Sequence, residues 1–393
     1  MRLPPAREVR SGPGLPTVVG ANSLVFPATV VRLPEEAVTY SIAVEEENEN
    51  VALVASSDTT VQRVELSTGA SEVAFRGHKA AVNDVVEIRE GLAASCSLDR
   101  TVQVFNVRTG ATLAALRGHR GPVYALAVDP ETGRLLSASG DGTIRLWDNA
   151  NTSAVHTVVC HKPHKGVTPF ELYDVEFLSY TGHGLHHAIT ASQNSRADLW
   201  DLTRTDNVPV LSVQRGVQGE LRCVKMLPDC SGQEFLTAGE DQVLRLWDAR
   251  AGDEPAYEFR AHRDAIWGLA TDGRRVTTTS VRGRAIFWDV RMRKIESQLL
   301  GHGPFRCVSV APSKRTFHLG NFNGNVYSVW TAKIPPASLP EYDVPVSDEE
   351  PPCFTLAREH MRRSKDPFLT EIPRPIIHRR LKCKAIGDCC TIS

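Results

Sequence analysis

The chain has 393 residues, with 45 Lys or Arg against 46 Asp or Glu and a formal net charge of −1. A balance so near zero excludes a bulk electrostatic pull toward nucleic acid or an anionic membrane. Nine cysteines at positions 96, 160, 223, 230, 307, 353, 383, 389 and 390 follow neither a zinc-finger spacing nor a disulfide framework, so reduced thiols are expected.

Residues 1–23 begin with MRLPPAREVRSGPG, whose prolines and glycines interrupt every apolar run before it reaches signal-peptide length. The segment is predicted to be a disordered leader with no secretory signal. LVFPATVVRL, residues 24–33, is a strand with no partner close by in sequence. The acidic run Glu45, Glu46, Glu47 and Glu49 follows between two strand patterns and reads as a solvated loop tip.

From here the chain repeats. The clearest unit is LRGHRGPVYALAVDPETGRLLSASGDGTIRLWD, from Leu116 to Asp148, with three alternating segments parted by turn signals at DPETG and GDG. Apolar residues on both faces of VYALAV imply a sheet covered on both sides. With Asp141 as phase marker, the equivalent positions are Asp58, Asp99, Asp141, Asn194, Asp241, Arg282 and Asn323, at intervals of 41, 42, 53, 47, 41 and 41 residues. Six residues after each marker stands Val64, Phe105, Trp147, Trp200, Trp247, Trp288 or Val329. Gly-His or its near match opens units at His78, His119, His262 and His302, and Trp-Asp closes four of the seven units. A period of roughly 40 to 45 residues with such an opening and close marks propeller blades of four strands.

On these residues the chain resembles the WD-repeat family over residues 24–332. The resemblance implies an all-β fold, a seven-bladed β-propeller of four-stranded antiparallel blades closed by a strand borrowed from the far terminus. Residues 28–33 are expected in that place beside Val326–Trp330, with Pro27 at the beginning where a missing donor matters least. Cys353–Ala357 is the alternative. In the central unit His119, Ser137 or Ser139, Asp141 and Trp147 should meet, with Ser139 the preferred hydroxyl, because a buried indole and imidazole need partners once removed from water. Blade 5 has no opening histidine and blade 6 has Arg282 at the marker, so the network is expected intact only in blade 3.

Ser, His and Asp in one cluster are also what a hydrolase uses, but their place in the repeat assigns them to structure. No G-x-S-x-G elbow, P-loop or dinucleotide fingerprint occurs. No catalytic residue and no cofactor are expected. His156, His161, His164, His183, His186 and His187 crowd one stretch, yet no Cys or carboxylate completes a metal site beside them. One of His161 or His164 is a candidate for the blade-opening position.

Two further features bear on partners. Trp-Asp-x-Arg recurs in adjacent blades as Trp247, Asp248 and Arg250, then Trp288, Asp289 and Arg291. The recurrence resembles the box with which substrate receptors of cullin-type ubiquitin ligases face their adaptor. Residues 333–393 form a flexible tail, Pro-rich and then basic. Its end, Cys390-Thr391-Ile392-Ser393, fits a C-a-a-X prenylation signal, with Cys389 able to take a second chain and Arg379, Arg380, Lys382 and Lys384 close by. One lipid chain binds membrane marginally, and basic residues supply the second signal that stable anchoring needs.

The function expected from these readings is a non-enzymatic scaffold that joins protein partners, a monomeric ring within complexes. It would work in the cytoplasm, with tethering to a membrane surface through the tail and the nucleus left open. The alternatives are a ligase substrate receptor bound to a ubiquitin-ligase adaptor and, more weakly, an RNA-processing or ribosome-assembly factor. Direct nucleic-acid contact is not expected, given neutral charge and no aromatic-basic stripe.

Overall fold

The computed structural model describes residues 17–19, 24–33, 37–148, 154–161, 168–178, 187–227, 233–301, 303–313 and 316–332. The chain divides into Met1–Ala357, which holds the ring, and Arg358–Ser393, which lies outside the described residues. All the regular elements among the described residues are β-strands. They form seven antiparallel sheets, spanning 39–76, 82–116, 123–159, 172–213, 221–260, 266–300 and 305–332, numbered here as blades 1 to 7. In blades 1 to 6 four strands follow one another from the innermost to the outermost, each paired with the next in sequence.

The core is divided among the blades. Seven apolar clusters each join one blade to its neighbour, such as Phe75, Val82, Val85 and Phe105 between blades 1 and 2, or Phe259, Ile266, Ile286 and Trp288 between blades 5 and 6. A lone blade would leave both faces wet, so the sheets are stable only stacked. The seventh cluster closes the circle, because Val31, Leu33 and Val326 of blade 7 pack on Ile42, Ala52, Val54 and Val64 of blade 1. The outermost strand of blade 7 is Leu24–Arg32, paired antiparallel with Asn325–Ala332.

That strand starts earlier than residue 28, and Pro27 lies inside it rather than at its beginning. The register shifts between Pro27 and Thr29. A bulge on an outermost strand accepts proline because no neighbour needs its missing N–H. The leader is also not wholly without structure. Thr17–Val19 adds a fifth strand to blade 6, pairing with Leu300, Leu299 and Gln298. Its β-branched TVV suits a strand, and the open edge of blade 6 offers the backbone partners. The alternative closing strand, Cys353–Ala357, lies outside the described residues.

Carboxylates tie the inner strands together. The Leu126 N–H of blade 3 donates to Asp84 of blade 2 at 2.8 Å, and the Val224 N–H of blade 5 donates to Asp174 of blade 4 at 2.9 Å. At the rim, Asn207 of blade 4 accepts from the Val159 N–H of blade 3. A cavity of about 720 Å³ runs down the axis, lined by the inner strands of all seven blades, with Asp84, Asp174, Glu176 and Lys225 among apolar residues such as Leu126, Leu269 and Val308.

Candidate functional site

The polar network of blade 3 is built from four side chains, and Ser137 rather than Ser139 is its hydroxyl. His119 Nδ1 lies 3.1 Å from Asp141 Oδ2, its Nε2 lies 2.7 Å from Ser137 Oγ, and the Trp147 indole donates to the same Oγ at 2.9 Å. An acceptor-only carboxylate fixes the proton on Nδ1, so Nε2 accepts from Ser137. Ser139 sits two residues on, at the strand end, where its hydroxyl donates to Gly121 O and accepts from the Asp141 N–H. The turn consumes it.

Burial lowers the pKa of His119, more than Asp141 restores it. Burial opposes ionisation of Asp141 too, yet hydrogen bonds from His119, Thr143 and the Arg120 N–H hold its carboxyl well below the usual range. Ser137 has no exposed surface, so no substrate carbonyl reaches its Oγ. The cluster holds a loop to a strand.

The network extends further than blade 3. In blade 2 His78 bridges Asp99 and Ser95 at 2.9 Å each, and Phe105, stacked on Phe75 at 4.3 Å, replaces the indole. In blade 6 His262 and Trp288 share Thr278 Oγ1 at 2.6 and 2.8 Å. Blade 5 keeps the Trp247 to Thr237 bond at 2.8 Å, and the buried Arg245 takes the histidine's part, reaching Asp241, Glu258 and Gly216 O. In blade 4 Trp200 donates to Thr190 at 3.0 Å, whereas His161 packs against Phe170 and its Nε2 has no hydrogen-bond partner, so His161 does not complete a network. His164, His183, His186 and His302 lie outside the described residues.

A second constellation, not foreseen from the sequence, crowns the channel. The inner strand of every blade has a register shift across its second residue, and those residues are Tyr40, Asn83, Tyr124, Tyr173, Arg222, Trp267 and Arg306. A bulge re-aims a side chain, and here seven equivalent bulges gather large or polar groups at one mouth. The Arg222 guanidinium lies 4.1 Å from the Tyr173 ring centroid; Arg306 lies 4.8 Å from Trp267 and 5.4 Å from Tyr40. Tyr124 and Tyr173 meet at 5.7 Å, and the Tyr124 hydroxyl donates to Glu171 at 3.1 Å. These contacts run from blade to blade. The position escaped the sequence reading because the loop between first and second strands varies in length, so its distance from the marker drifts from 15 to 21 residues.

The two Trp-Asp-x-Arg segments share letters and differ in geometry. Trp247 and Trp288 are both buried. Arg250 turns back on its own blade, its Nε donating to Asp248 Oδ1 at 2.9 Å and its Nη2 to Oδ2 at 2.7 Å. Asp289 accepts from the Met292 N–H at 2.8 Å, and Arg291 is exposed with no ion pair among the described residues. Cys389, Cys390, Arg379, Arg380, Lys382 and Lys384 lie outside the described residues.

A closed ring of seven antiparallel blades, with a complete His-Ser-Asp-Trp network in blade 3 and partial ones in blades 2 and 6, defines the class of protein. The family model described as "WD domain, G-beta repeat" matches residues 69–106 and 110–148. Those two stretches are similar to that repeat, and the seven-bladed fold around them is of the kind such repeats build. It is similar to a guanine nucleotide-binding protein subunit beta of Nicotiana tabacum, 26% identical over 52% of this chain and 54% of that one. It is also similar to Striatin-4 of Homo sapiens, 29% over 38% of this chain and 19% of that protein, and to transcription initiation factor TFIID subunit 5 of Caenorhabditis elegans, 26% over 44% and 24%. The chain spans about half, or less, of the length of these relatives.

Proposed function

We propose that this propeller is a non-enzymatic scaffold that brings two or more proteins together on the loop faces of its ring. One observation carries the reading. The side chains able to do chemistry, His119, Ser137 and Asp141 with their counterparts in blades 2 and 6, are spent on one another and on buried indoles, which leaves the loops and the channel mouth to meet partners. The proposed place of action is the cytoplasm, with attachment to a membrane surface through Cys390 and the basic residues near it. Affinity purification of the full chain against a chain ending near residue 335 tests the scaffold. Shared partners with both forms support it, and recovery of none by either form ends it. Intact mass of the cell-made protein, with Cys390→Ser as control, tests the lipid, and an unmodified C-terminus removes it.

A second reading rests on Arg291, exposed on blade 6 beside the half-exposed Arg250 and Asp248 pair of blade 5. Such a pair of arginines on adjacent blades would suit a ligase adaptor. Equal adaptor recovery by wild type and by Arg250→Ala/Arg291→Ala would exclude it.

A further inference from the structure

Each blade-opening histidine of blades 2, 3 and 6 is flanked by basic residues, as Arg76-Gly77-His78-Lys79, Arg117-Gly118-His119-Arg120 and Arg260-Ala261-His262-Arg263. The histidines are buried and the flanking cations exposed. Beside His262, Arg260 at the end of blade 5 is paired with Glu258 at 2.6 Å. In blades 2 and 3 the situation differs. Arg76, Lys79, Arg117 and Arg120, together with Arg100 from the turn of blade 2, are exposed and make no ion pair among the described residues.

The carboxylates of those turns are already taken. Asp99 accepts from the Lys79 N–H at 2.9 Å and contacts His78; Asp141 accepts from the Arg120 N–H at 2.7 Å and contacts His119. Asp58, in the turn of blade 1, accepts from Thr60. Five cations therefore stand between the end of blade 1 and the start of blade 3, with their local counter-charges spent inward. The opposite ends of the strands in blades 1 and 2 carry Glu45, Glu46, Glu47, Glu49 and Glu90, so the near-zero net charge conceals two poles.

We propose that this basic sector is a docking surface for an acidic segment of a partner protein, one presenting clustered carboxylate or phosphate oxygens. The proposal deepens the scaffold reading and rests on it. Four of the five cations are arginines, whose planar forks match both kinds of oxyanion in two-point contacts. The sector is confined to the stretch from the end of blade 1 to the start of blade 3, the reach of a short segment rather than of a flat bilayer pressed on the whole face. Of the aromatic residues at the channel mouth, Tyr124 and Tyr173 pack against each other at a tilt, and Tyr173 and Trp267 lie under arginines, so none of the three stands ready to take a nucleic-acid base.

The test uses the full-length protein and four labelled probes: a Glu-rich peptide, a phosphoserine-containing peptide, single-stranded RNA and phosphatidylserine vesicles. Fluorescence anisotropy, or sedimentation for the vesicles, is compared for wild type, for Arg76→Glu/Lys79→Glu/Arg117→Glu/Arg120→Glu, and for Glu46→Lys/Glu47→Lys on the other pole. The substituted residues are exposed or half-exposed, and circular dichroism checks that the ring is kept. The expected result is binding of one or both peptides, weakened about tenfold or more by the first variant and by added salt, and not weakened by the second. The two peptides distinguish carboxylate from phosphate. Absence of peptide binding, equal binding by the first variant, or tighter binding of RNA or vesicles overturns the proposal. Retention of protein partners in the affinity purification, with no peptide binding, would sink this inference alone and leave the scaffold standing.

Discussion

Arg282 stands in blade 6 where Asp141 stands in blade 3, and it turns away from His262 to pair with Asp264 at 2.8 Å, leaving His262 Nδ1 buried with no partner. Burial, with a smaller push from Arg284, lowers the His262 pKa to about 3. Arg282→Asp would supply the missing acceptor. The exchange loses an ion pair whose arginine is 47% and whose Asp264 is 16% exposed, a cost of about 1 kcal/mol, and satisfies a buried group whose orphaning costs about 1–3 kcal/mol. Denaturant unfolding at pH 7 should show a gain of about 1 kcal/mol, and NMR titration should show the His262 pKa rising. A variant no more stable than wild type would mean that Nδ1 is already satisfied.

The two serines of blade 3 should separate cleanly on mutation. Ser137→Ala removes one oxygen and orphans two buried groups, His119 Nε2 and the Trp147 indole, for an expected loss of about 2–4 kcal/mol. Ser139→Ala removes a bond to Gly121 O and one from the Asp141 N–H at the strand end, for about 1 kcal/mol. Urea denaturation of both variants measures the order, and a larger loss at Ser139 would contradict the assignment.

The residue after each marker is left-handed in every blade, with φ between 65° and 75° at Thr59, Arg100, Gly142, Ser195, Gln242, Gly283 and Gly324. Only three of the seven are glycine, the residue that bears this conformation without strain. Thr59 is the most strained by type, being β-branched. Thr59→Gly should therefore stabilise the protein, by about 1 kcal/mol, read as a higher midpoint of thermal unfolding. A lower midpoint would mean that greater freedom in the unfolded chain outweighs the relief.

Blade number and phase were legible in the sequence because each unit repeats a tight turn and a large apolar residue six positions later, and both follow from local geometry. Closure by the N-terminal strand was legible because LVFPATVVRL is apolar with no neighbour to pair. The choice between Ser137 and Ser139 was not, since both lie on one face of one strand and only the distance to Trp147 separates them. Nor was the bulge ring legible. Bulges depend on pairing register, and the drifting loop lengths hide Tyr40, Arg222 and Trp267 from any fixed period. The network in blade 2 escaped because Phe105 broke the Trp signature, although His78, Ser95 and Asp99 still meet.

Acid should act on the ring in two opposing ways, and the carboxylate of the channel is the easier to isolate. Burial raises the Asp84 pKa from 3.8 to about 6, so between those values the folded chain holds a proton that the unfolded chain has lost. Its contribution favours folding below pH 3.8 and is lost as the pH rises through 6. The histidines run the other way. His262 near 3 and His318 near 4, both lowered by burial, lose their contribution as the pH falls below 6.5. At about 1.4 kcal/mol per pKa unit the Asp84 rise is worth about 3 kcal/mol. Part of the residue faces the cavity, so solvent screening brings the expected effect to about 1–2 kcal/mol. Asp84→Asn carries a fixed cost, because its amide cannot accept from both the Val85 and Leu126 N–H groups. The pH dependence of the difference is free of that cost. Unfolding free energies at intervals from pH 4 to 7 should show the variant gaining on wild type by about 1–2 kcal/mol as the pH rises. A difference flat with pH would place the Asp84 pKa near its ordinary value and remove its part in the acid response.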